Sequence, residues 1–303
     1  MNTAGKLAAF AALVTVGFGA AAAVGSAVGP IDVGSGSTAH DTHGTADTVE
    51  ADAHPRGLAV AEGGYRLTLD RTIVPGDDWT SFGFAIVDDD GEPVTAFDEL
   101  HERPLHLIVL SRNMIDYLHL HPKLDPAGHW SVDVPALDPG SYRVFADFQP
   151  AGGANLTLGA DITVAGHVAD VELPAAGDVT SIDGYTVTMN GTPALGDSEL
   201  SFTVATGGEV LRTDPYLGAA GHLVAIRGGD LAYLHVHPNE DGNTPVVTFT
   251  VEFPTAGVYR LFFDFSLDGS VRTASFTVDI PDTGHGDGHD DEGDTTGTHE
   301  EGH

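Results

Sequence analysis

The sequence predicts an all-β protein: two tandem immunoglobulin-like or cupredoxin-like β-sandwiches behind one N-terminal apolar helix, with disordered His- and Asp-rich tails. Three observations carry this reading. Short β-rich runs alternate with turn signals. The whole pattern is written twice. No helical periodicity occurs beyond the N-terminal segment.

The elements follow in chain order. Residues 1–31 hold no charge after Lys6, a length that suits a membrane anchor or a signal peptide. Small residues from Ala20 to Ala27 would serve cleavage, and Lys6 sets that end inside. The expected address is therefore the cell membrane facing the exterior, or the extracellular medium if the leader is cleaved. Residues 32–56 are Gly-, Thr- and acid-rich, contain His40, His43 and His54, and cannot fold alone. The first sandwich is placed at 57–166, with "YRLTL", "WTSFGFAIV", "HLIVLS", "YLHLH", "HWSVDV", "SYRVFADF" and "ANLTLGADITV" as strands. Turn signals "PGDD", "DDDGEP", "DPAG" and "LDPG" separate them. A linker at 167–178 leads to the second sandwich at 179–280. The tail at 281–303 is again His- and acid-rich.

The duplication is read from three anchors. "HLIVLSRNMIDYLHLHP" from His106 aligns without gaps to "HLVAIRGGDLAYLHVHP" from His222. "GSYRVFADF" from Gly140 matches "GVYRLFFDF" from Gly257, and "GGYRLTLD" matches "DGYTVTMN". The aromatics of the second pair are expected in the sandwich cores.

Composition narrows the chemistry. With 45 acidic against 12 basic residues and a formal net charge of -33, the surface repels nucleic acid and anionic lipid, and fits adaptation to high salt. The chain has no Cys, which excludes disulfides, thiolate metal sites and cysteine nucleophiles. Three Met do not make a methionine-rich copper(I) carrier.

The repeated His-x-His-Pro phrase is the candidate site. On a strand, residues i and i+2 face the same way, so His119 and His121 project together while Leu118 and Leu120 face the core. Pro122 ends the ladder and puts the pair at a strand end. Each repeat adds the His that opens the preceding strand and a late Asp. The expected sets are His106, His119, His121 and Asp147 in the first repeat, and His222, His235, His237 and Asp264 in the second. Three imidazoles and a carboxylate suit Cu(II) or Zn(II). The Asp is either a ligand or the acceptor of a ligating imidazole's free N–H. The two sets are expected to be separate, with binding weakening below about pH 6, near the reference pKa of imidazole. His101 and His129 have no counterpart in the second repeat. His285, His289, His299 and His303 in the tail are expected to bind metal weakly. The competing explanation is a hydrogen-bonded corner copied by duplication.

The twin phrase, followed each time by "YRxFxDF", resembles a group of exported tandem-repeat heavy-metal-binding proteins of actinobacteria and haloarchaea, over residues 57–280 and the leader. The resemblance implies an extracytoplasmic location and copper or another heavy metal, and it supplies no activity. Three functions compete: a membrane-tethered or secreted protein for metal capture, delivery or tolerance; a cell-surface interaction module with structural histidines; and a redox metalloenzyme. The last ranks lowest, because no nucleophile or acid–base constellation is present. The expected partners are the metal ion and, through the N-terminal segment, the membrane. A metal transporter is a further candidate, and nucleic acid is not.

Overall fold

A computed structural model describes residues 55–75, 80–234, 236–239 and 244–282. The expected apolar helix, most of the acidic linker and almost all of the tail lie outside these residues. No helix among the described residues is long and apolar enough to cross a membrane.

The described chain is all-β. The first repeat comprises β1 (Ala61–Glu62), β2 (Tyr65–Leu69), β3 (Ile73–Val74), β4 (Thr80–Val87), β5 (Phe97–Asp98), β6 (Leu105–Ser111), β7 (Tyr117–Leu120), β8 (Lys123–Leu124), β9 (His129–Val134), β10 (Gly140–Pro150) and β11 (Leu156–Val164). The second comprises β12 (Val179–Ile182), β13 (Tyr185–Asn190), β14 (Gly196–Thr206), β15 (Glu209–Leu211), β16 (His222–Arg227), β17 (Tyr233–Leu234), β18 (Val236–Asn239), β19 (Val246–Phe253), β20 (Gly257–Leu267) and β21 (Ser270–Ile280).

Each repeat is a pair of sheets with the same order, apart from β3, which has no counterpart among the described residues of the second repeat. In the first, β1-β2-β4-β9-β8 faces β3-β11-β10-β6-β7; in the second, β12-β13-β14-β19-β18 faces β17-β16-β20-β21. Pairing is antiparallel throughout, apart from the short parallel contact of β3 with β11. Alternation along the strands fills each interior. Phe84, Trp130, Val144 and Phe148 occupy the first core; Phe202, Phe249, Leu261 and Phe263 occupy the second. A tyrosine fixes the corner before the long strand of each repeat. The Tyr142 hydroxyl donates to the Asp138 carbonyl at 2.8 Å, and the Tyr259 hydroxyl donates to the Thr255 carbonyl at 2.8 Å. Such a corner is a hallmark of immunoglobulin-like sandwiches.

The strands β6, β10, β16 and β20 are buried on both faces, which is why they read as nearly unbroken apolar runs. Their second faces meet. Ile108, Leu110, Met114 and Phe145 of the first repeat cluster with Val224, Ile226, Leu231 and Phe262 of the second. Tyr117 stacks on Phe262 with ring centroids 4.0 Å apart, and Tyr233 lies 5.8 Å from Phe145. The repeats thus pack sheet against sheet with matching residues exchanged across the contact. Phe145 and Phe262 were expected in the sandwich cores; they sit in this third cluster instead, because odd and even positions of one strand face opposite sides.

Candidate metal centre

The histidines stand at one end of this contact. His106 lies on β6 and His222 opens β16, each on the face turned to the other repeat. His119 lies on β7 opposite Ile108. His121 and Pro122 follow, where the chain leaves the β7 sheet and crosses to β8 in the other sheet of the same sandwich. Leu118 and Leu120 pack on the core behind them. The i, i+2 spacing therefore sends both imidazoles outward, toward the second repeat.

A chain of contacts orders these rings. His106 Nε2 is 2.8 Å from the Leu100 carbonyl, six residues earlier. His222 Nε2 is 2.9 Å from the Tyr216 carbonyl, again six residues earlier. A carbonyl only accepts, so in both rings Nε2 carries the hydrogen and Nδ1 keeps a lone pair. His119 Nδ1 meets the Asp264 carboxylate at 2.7 Å, which puts a hydrogen on that nitrogen. His119 Nε2 then faces His106 Nδ1 at 2.9 Å. Two nitrogens bound to one ion at about 2.0–2.1 Å stand about 2.9 Å apart at a right angle and about 3.3 Å apart in a tetrahedron. The His106–His119 pair is already at that spacing.

His121 completes the set. One ligand nitrogen from each of His106, His119 and His121 lies within 4.8 Å of the other two. His121 Nε2 is buried and has no hydrogen-bond partner, which among the described residues is shared only with Trp130 Nε1. A buried polar atom without a partner costs about 1–3 kcal/mol, and a cation would supply one. Drawing His121 to ligand spacing takes a movement of about 1–2 Å.

Electrostatics favour neutral rings. Burial lowers the pKa of His106 to about 3, with His119 and His121 adding to the effect. Burial and His119 lower that of His121 to about 4. Burial lowers that of His222 to about 4, against the pull of the Tyr216 carbonyl. Neutral imidazole is the form that binds metal. Beside the cluster lies a cavity of about 60 Å³, lined among others by His101, His106, His119, His222, Asp147 and Tyr233. It has room for an ion or several waters.

The carboxylates differ from expectation. Asp147 pairs in register with His106, and Asp264 with His222. Asp147 Oδ1 accepts from Asn155 at 2.9 Å and Thr157 at 3.0 Å, and burial raises its pKa. It lines the cavity but is not among the groups that converge on an ion. Asp264, by contrast, bonds to His119 of the other repeat. Two separate sets were expected; packing of the sheets brings Asp264 of the second repeat to the first repeat's histidines. His235 and the side chain of His237 lie outside the described residues, as do His285, His289, His299 and His303. His101 rests edge-on against His222 at 5.1 Å and 6.1 Å from His106. His129 instead pairs with Asp70 at 2.9 Å on an exposed surface. Tyr117, Leu100 and Tyr216 escaped the sequence reading. The last two are detectable as the residues six before each strand-opening His.

No curated protein matches this sequence. Among solved structures, the chain is similar to the Escherichia coli adhesin FdeC at 18% identity, over 74% of this chain and 66% of that one, with a TM-score of 0.24. It is similar to Yersinia pseudotuberculosis InvD at 14% identity, over 72% and 57%, with a TM-score of 0.24. A two-domain fibronectin type III segment of chicken tenascin gives 13% identity over 71% and 97%, with a TM-score of 0.21. The chain spans 66% of the FdeC chain and 57% of the InvD chain, and at these scores no role carries over. Residues 59–166 and 180–282, which hold the two repeats, match the family described as "Domain of unknown function (DUF8832)", and the chain belongs to that family.

Proposed function

We propose that this protein is an extracytoplasmic, membrane-tethered metal-binding protein that holds Cu(II) or Zn(II) at His106, His119 and His121 and acts in metal capture, delivery or tolerance. One observation carries the reading: His119 Nε2 and His106 Nδ1, whose opposite ring nitrogens each meet an oxygen acceptor, face each other at 2.9 Å while a third buried imidazole nitrogen has no partner. The all-nitrogen set suits both ions, and the absence of Cys removes the soft ligands that would select otherwise. The exterior address and the tether draw their support from the uncharged stretch that follows Lys6, and the metal role also from the resemblance to exported heavy-metal-binding proteins.

A second reading is a structural corner in a surface interaction module. It too has support, because a proton between His119 Nε2 and His106 Nδ1 would make the contact a hydrogen bond. His121 separates the two, since a corner does not use its unpartnered Nε2. Full-length protein with His285, His289, His299 and His303 replaced by Ala is titrated with Cu(II) and Zn(II) against a competing chelator. His121→Ala is expected to lower affinity by about 100-fold or more, with little change in melting temperature. Equal affinity of parent and variant would sink the metal reading and leave the corner.

A further inference from the structure

Resting on the metal reading above, we propose that Asp264 is a positioning residue for the first repeat's histidine cluster, so that the centre is incomplete unless the second repeat is docked. Asp264 is 1% exposed, and its contacts divide by oxygen. Oδ1 accepts from the Thr273 hydroxyl at 2.5 Å, a bond between β20 and β21 within the second repeat. Oδ2 accepts from His119 Nδ1 at 2.7 Å and from the Tyr117 hydroxyl at 3.3 Å, both on β7 of the first repeat. One oxygen is fixed at home, and the other is presented across the interface.

The consequence falls on His119. A carboxylate at Nδ1 holds the hydrogen there and leaves Nε2 as the ligand nitrogen, aimed at His106 Nδ1. It also makes the imidazole a better donor to a metal. The equivalent carboxylate, Asp147, lies in the same register on its own strand, yet its Oδ1 is committed to Asn155 and Thr157. So His119 draws its carboxylate from the other repeat, although the nearer one in sequence is chemically identical. Metal affinity and docking of the repeats are therefore linked: what separates the sheets also removes the group that orients His119.

The test uses the full-length chain with the four tail histidines replaced by Ala. Zn(II) affinity is measured by chelator competition for the parent and for Asp264→Asn. The variant keeps the shape and is expected to bind 10–100-fold more weakly. In the zinc-loaded parent, nitrogen-15 spectra of labelled histidine are expected to show His119 protonated at Nδ1 and metal-bound at Nε2. Unchanged affinity of Asp264→Asn overturns the assignment, and so does zinc on His119 Nδ1. If Asp264→Asn fails to fold, the tautomer in the parent decides. A parent that binds no zinc or copper defeats the metal reading itself, which is a different failure from a parent that binds while Asp264→Asn binds equally well.

Discussion

At the scale of residues, burial keeps the imidazoles of His106, His121 and His222 neutral, and this fixes how the metal-free protein responds to acid. The folded-state pKa values of His106 and His222 are lowered to about 3 and about 4, whereas in the unfolded chain both return to 6.5. Between these limits the unfolded chain binds more protons than the folded one. Stability is therefore complete above pH 6.5 and is lost as the pH falls, by on the order of 1 kcal/mol per pH unit for each of these rings. Asp147 acts with the opposite sign, since burial raises its pKa above 3.8, and it offsets part of the histidine effect between about pH 4 and pH 6.5. Urea midpoints of chelator-treated protein should fall across that interval, and a flat profile would show that the rings are not buried as described. The expectation that binding weakens below about pH 6 rests on the reference value for imidazole, whereas burial holds His106 and His121 below it, and sequence spacing holds no information on desolvation. The identity of the histidines was legible because the phrase occurs twice; their partners at Leu100, Tyr216 and Asp264 depend on how strands from different places meet.

At the scale of elements, the strands were legible because apolar runs and turn residues both mark them. The segment ahead of the first strand was not, because its role rests on backbone approach. Residues 56–59 lie along the first repeat and reach the second. The Gly57 N–H donates to the Thr157 carbonyl at 2.9 Å, the Gly159 N–H to the Ala59 carbonyl at 2.8 Å, and the Tyr233 N–H to the Arg56 carbonyl at 2.9 Å. Arg143 holds the segment from beneath, through Nε to the Gly57 carbonyl at 2.8 Å and through a terminal nitrogen to the Leu58 carbonyl at 2.7 Å. The close approach requires glycine at 159. A Cβ there would stand 1.9 Å from the Gly57 carbonyl oxygen and 2.8 Å from Arg143 Nε. Gly159→Ala must push the segment off its strand and break these bonds, at a cost of about 2 kcal/mol or more. Thermal melting would register the loss, and faster amide exchange at Gly57 and Tyr233 would locate it. Glycine 153, in the turn ahead of β11, has Pro150 atoms no nearer than 3.2 Å, and Ala there should cost less.

At the scale of the whole molecule, the duplication gave two similar sandwiches, and the packing of one on the other made the candidate centre. That packing is only half written in the sequence. The runs in β6, β10, β16 and β20 are apolar on both faces, which signals that something covers the outer face. Nothing in them states that the cover is the other repeat, or that its approach brings Asp264 to His119. Adjacent residues of β20 test the link between interface and site. Phe262 and Phe263 are both fully buried, but Phe262 stacks on Tyr117 in the interface and Phe263 points into the second core against Phe202. Leu at either position leaves a similar void and should cost a similar amount, about 1–3 kcal/mol. Their effects on metal affinity should differ. Tyr117 also donates to Asp264, so loosening its seat on Phe262 disturbs the carboxylate that holds His119. Phe262→Leu is therefore expected to weaken Zn(II) or Cu(II) binding by about tenfold in the folded protein, a change of 1.4 kcal/mol in binding free energy. Phe263→Leu should leave it within about twofold, because Phe263 stacks on Phe202 in the second core and not on Tyr117. Chelator competition at a temperature where both variants are fully folded makes the comparison. Equal losses would mean that affinity merely follows global stability, and would disconnect the centre from the interface.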